Sequence, residues 1–62
     1  MNLITERTQR LVLAELTRKE ALKDVSFFRQ RVEVEPTEAN RQSLADAEAM
    51  VAFCEGEISI WS

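Results

Sequence analysis

Three groups of side chains in this sequence carry usable chemistry. They are the single cysteine, Cys54; the carboxylates of Glu33, Glu35 and Glu38 around the only proline, Pro36; and a series of cations, Arg10, Arg18, Lys19, Lys23, Arg29 and Arg31, in the first half. A thiol or hydroxyl becomes a catalytic nucleophile when a base beside it takes its proton. The chain has no histidine, so Cys54 or any serine would depend on a carboxylate or a lysine, and no such pair stands out. A lone cysteine also leaves no intrachain disulfide, a usage that fits a reducing compartment and predicts a cytoplasmic location.

The three carboxylates could attract a hard cation, but a calcium loop also needs a glycine at its sharp turn and a fixed ligand spacing. Neither is present, and the cluster reads as a solvated acidic turn. Loops that cradle phosphate need several glycines, and the chain has one, Gly56. The expectation is therefore a non-enzyme with no catalytic residue, no cofactor, no metal and no small-molecule substrate.

Six cations on one helix would suffice for several phosphate contacts, which defines an alternative reading as a nucleic-acid-binding regulator. Glu15, Glu20, Asp24 and Glu33 are interspersed among them, however, and the net charge is −3. That field opposes approach to nucleic acid, and dimerisation would double it. The converse idea is an acidic decoy in which Glu38, Asp46, Glu48, Glu55 and Glu57 imitate phosphates; it suffers because these charges point in several directions. Arg7, Arg18 and Arg29 recur every eleven residues, a period that returns a side chain to nearly the same angle on a straight helix. Such a row could hold phosphate or carboxylate. The plainer expectation is that the arginine stems cover apolar surface while their heads reach Asp46 and Glu57 on the second helix.

The elements that position these groups follow from hydrophobic spacing. Leu11, Ala14, Arg18, Ala21, Val25, Phe28 and Val32 step by three and four, with Leu22 beside them, which is a helical face. Thr5 can cap the start, and no glycine or proline interrupts the run before Pro36. The spacing predicts one helix over about 5–34. Pro36 ends it, Thr37 offers a new cap, and a second helix is predicted over about 38–60. Gly56 would ordinarily suggest a stop and a loose tail. Yet Leu44, Ala47, Val51, Cys54, Ile58 and Trp61 keep the three-four step through it, so continuation is favoured, and Cys54 falls in register as a buried thiol. So short a connection makes the helices antiparallel neighbours.

The predicted fold class is thus all-α, a single helical-hairpin domain spanning 1–62. Residues 1–34 carry seven basic and five acidic side chains, and residues 35–62 carry one and six. The halves are therefore +2 and −5, which favours folding back. No stretch approaches the ~20 apolar residues of a membrane span. The start, Met1-Asn2-Leu3-Ile4-Thr5-Glu6-Arg7, lacks the basic and hydrophobic segments of a leader, so none is expected.

Sixty-two residues make a marginal core, because a chain this short buries only roughly 60% of its unfolded surface. Without disulfide or metal, association is the remaining source of stability. Each helix has a second apolar stripe on its far side. On the first lie Leu13, Leu16, Phe27 and Val34; on the second lie Ala45, Ala49, Ala52, Phe53, Gly56 and Ile60. A hairpin buries one stripe per helix, so these are candidate interfaces, and the simplest product is a homodimer forming a four-helix bundle.

In length and architecture the chain resembles the Rop family of small plasmid RNA-binding proteins, which are helical hairpins that dimerise into four-helix bundles. The resemblance implies that general plan. The polar and aromatic positions the family uses on its first helix have no counterparts here, where Ala14 and Val25 fill the stripe, so no functional residue carries over. The expected function is an interaction module that binds itself and another protein. Its size suits an inhibitor, adaptor or assembly factor encoded by a phage or mobile element.

Overall fold

The computed structural model describes residues 5–62, so the leader expectation, which rests partly on residues 1–4, lies outside them. Two helices make up the described chain, α1 (Glu6–Val34) and α2 (Glu38–Trp61), joined as an antiparallel hairpin. No helix in it is long and apolar enough to cross a membrane.

Local chemistry sets each boundary. The Thr5 hydroxyl accepts the Thr8 N–H at 3.1 Å, satisfying one of the orphan donors of the first turn, and Glu6 lies favourably in that turn. At the other end of α1 the Glu35 N–H still reaches the Arg31 carbonyl at 2.8 Å. The residue before a proline is pushed out of the helical region, and Glu35 leaves it with φ −143° and ψ 87°. Its freed carbonyl oxygen then accepts both the Thr37 N–H and the Asn40 side-chain amide, each at 2.8 Å. Thr37 caps α2 by accepting the Asn40 N–H at 3.1 Å. The three-residue connection is thereby tied on both sides.

α2 runs through Gly56 without a break, and no described residue has positive φ. The alternative of a loose tail over residues 56–61 is gone, and the ladder from Leu44 to Trp61 forms one continuous edge.

The two helices meet along small side chains. Ala14, Ala21 and Val25 of α1 and Ala47 and Cys54 of α2 are the buried residues. Short side chains let the helix axes approach closely and leave little core volume. Leu11, Phe28, Val32, Leu44, Val51, Ile58 and Trp61 border this seam and are half-buried. Leu22 departs from its expected place in the core and is 42% exposed. Ala21 occupies the buried position, and the next residue turns about 100° further round the helix, beyond the reach of α2.

The arginine row also finds partners other than those expected. Arg18 Nε lies 3.3 Å from Glu55 Oε2, Arg29 Nη2 lies 3.9 Å from Glu48 Oε2, and Arg7 Nε donates to the Trp61 carbonyl at 2.6 Å. Asp46 instead accepts from Gln42 within α2 at 2.9 Å. The reason is rotational: Asp46 is two residues from Glu48, and Glu57 two from Glu55, so about 200° of turn puts each on the other side of the seam. The molecule is a plate of 51 × 19 × 13 Å.

Candidate functional site

The hairpin's two flanks differ in chemistry. Thr17 and Arg18 leave α1 about 100° apart, one on each side of the buried Ala14–Ala21 line. On the Arg18 side the seam is bridged by the ion pairs to Glu55 and Glu48. On the Thr17 side it is open. There Leu13 and Thr17 of α1 face Met50 and Phe53 of α2 across a groove of about 120 Å³, with Ala14 and Cys54 beneath and Arg10 and Glu57 at one end.

The groove walls are large apolar side chains left in solvent. Leu13 is 64% and Phe53 65% exposed, and Leu16, 58% exposed, widens the apolar surface beyond Leu13. Val12 and Leu13 join Leu16 around a shallow neighbouring depression with Thr8 and Gln9. Further along the same flank a second recess, about 280 Å³, is lined by Ala21, Phe28 and Met50 and carries two carboxylates, Asp24 and Asp46. Among the described residues neither carboxylate makes an ion pair, and no three Cys, Asp or Glu side chains converge as a metal site.

Arg10 closes the other end. Its guanidinium lies 5.5 Å from the centre of the Trp61 ring and 3.5 Å from Glu6. Cation–π contact of this kind holds a planar cation at the surface without removing it from water.

The structure redistributes the two candidate interfaces. Leu13 and Leu16 from the α1 stripe and Phe53 from the α2 stripe lie on one flank. Phe27 and Val34 stand apart, on a depression near the turn lined also by Gln30, Arg31 and Glu35. There Phe27 stacks edge-on against Phe28, with ring centres 5.1 Å apart, and Arg31 lies over it at 5.8 Å. The Lys23–Glu20 pair lies between these two apolar areas in sequence. Ala45, Ala49 and Ile60 are exposed on α2 and line none of these depressions.

Met50 was not among the expected interface residues, although it holds the centre of the flank. Its signal is the step Asp46, Met50, Phe53, Glu57 at four, three and four, a second ladder beside the buried one. Val12, also exposed, belongs to the same surface.

The six cations of the alternative reading do not share a face. Arg10 pairs with Glu6, Arg18 with Glu55, Lys23 with Glu20 and Arg29 with Glu48, while Arg31 lies over the Phe27 ring and Lys19 follows Arg18 by about 100° of turn. Cys54 is 2% exposed, inside the seam. Comparisons with protein-family models, with curated proteins and with solved structures gave no match.

Proposed function

We propose that this chain is a non-enzymatic protein-interaction module, a helical hairpin that self-associates and binds a partner protein as an inhibitor, adaptor or assembly factor. The observation that carries this reading is the groove whose walls, Leu13 and Phe53, are both about two-thirds exposed. Scattered exposed apolar residues are ordinary on any protein. A contiguous set that includes Leu13, Leu16, Met50 and Phe53 on one flank is the pattern of an association surface. Each such side chain contributes roughly 1.5 to 3 kcal/mol when fully buried, less the cost of association. Aromatic anchors such as Phe53 and Phe27 are the typical hot spots of such surfaces.

Light scattering tests the reading directly. A dimer or larger species is expected, and Leu16→Glu together with Phe27→Glu should dissolve it or abolish partner capture, with helicity retained by circular dichroism. A stable monomer indifferent to both changes, in size and in binding, would overturn it.

A further inference from the structure

The free end of the hairpin is fastened differently from the rest of it. Of the three arginines that reach from α1 to α2, Arg18 and Arg29 meet carboxylates. Arg7 pairs with no carboxylate among the described residues and donates instead to the Trp61 carbonyl at 2.6 Å. The C-terminal end of a helix is the negative pole of its dipole and leaves carbonyl oxygens without partners. The last turn of α2 carries no cation of its own, so α1 supplies one. Arg10, a turn further along α1, lies over the Trp61 ring at 5.5 Å. Both contacts fall on one residue.

Little else holds this end. The buried residues of the seam stop at Ala14 on α1 and at Cys54 on α2. Arg7 and Trp61 each lie seven residues beyond them, about 10 Å at ~1.5 Å per residue. Over that distance the apolar residues bordering the seam, Leu11, Ile58 and Trp61, are only half-buried. The other end is closed by the chain itself and by the Glu35 carbonyl, which takes the Thr37 N–H and the Asn40 amide at 2.8 Å each.

We propose that the free end is a latch, in which Arg7 and Arg10 close on Trp61 and their release opens the outer stretch of the two helices as a unit. The seam from Arg18 and Glu55 to the turn stays shut. Proteins open first where apolar burial is least and backbone is most exposed, and both conditions are met between Ala14 and Arg7. Opening has a consequence for the groove, because Arg10 and Glu57 form its end and Cys54 lies beneath it. Parting these residues widens the groove from that end and uncovers the thiol. The latch thus controls access to the apolar flank, whatever occupies it.

Two native reporters test the proposal. Trp61 is the only tryptophan and Cys54 the only cysteine. Labelling of Cys54 by a thiol-reactive dye should be slow but measurable in the native chain, with a urea dependence clearly shallower than that of global unfolding followed by circular dichroism. Arg7 lies outside the groove lining, so Arg7→Ala leaves the walls intact. It should speed labelling about fivefold, the effect of one charge-assisted hydrogen bond at a surface, and shift Trp61 emission to the red. Arg29→Ala cuts the corresponding contact nearer the turn and should change neither reporter. Labelling that follows global unfolding with its full urea dependence would overturn the latch, as would Arg7→Ala and Arg29→Ala acting equally or Arg7→Ala having no effect. The urea dependence is read on the native chain and decides the point even if a variant loses its fold.

Discussion

Arg18 and Glu55 meet across the seam of the hairpin, Nε to Oε2 at 3.3 Å, on the flank opposite the groove of Leu13 and Phe53. The side chains are 40% and 54% exposed, so water and salt screen their attraction. A double-mutant cycle between Arg18→Ala and Glu55→Ala should give a coupling of about 0.2–1 kcal/mol at low salt, fading towards zero near 1 M salt. A larger, salt-resistant coupling would mean that this flank is covered by something in solution.

Gly56 lies in the body of α2, where glycine costs helix stability and no positive φ calls for it. A methyl group built at this position meets nothing within 4 Å. Gly56→Ala should therefore raise stability by about 0.8–1 kcal/mol, read as a higher midpoint in urea or thermal unfolding. A fall in stability would show that the helix does not continue past this residue.

Cys54 is the least exposed of the core residues, packed where α2 crosses α1. Its thiol should resist a thiol-reactive dye in the folded chain and react at once in urea. Cys54→Ser puts a hydroxyl in the same slot and should cost about 1–3 kcal/mol, since the added polar group loses water. Rapid labelling of the native chain would place the thiol at the surface instead.

The course of both helices was legible because three-four spacing, Thr5, Pro36 and Thr37 each act locally. Continuity through Gly56 could be read because Leu44 to Trp61 keeps one angle. What the sequence concealed was the rotation of one helix against the other. Leu22 follows Ala21 by one residue and looks equally suited to the core, but only the position of α2 decides which of them it covers. The partner of Arg18 is Glu55, not Glu57, for the same reason. The groove suffered most: its walls come from both helices, and Met50 stands out only once Leu13 is known to face it. The carboxylates of Asp24 and Asp46 lie 22 positions apart in the chain, and only the antiparallel fold places them in one recess.

The 13 Å dimension is about one helix diameter. A body that thin is a single layer of helices, and its whole interior is the line of short side chains in the seam, Ala14, Ala21, Val25, Ala47 and Cys54. The residues that hold the hairpin together and the residues that a partner would touch are therefore immediate neighbours, as Cys54 and Phe53 are. Substitutions in such a layer change shape and recognition together, so stability and binding in this chain would have to evolve in step.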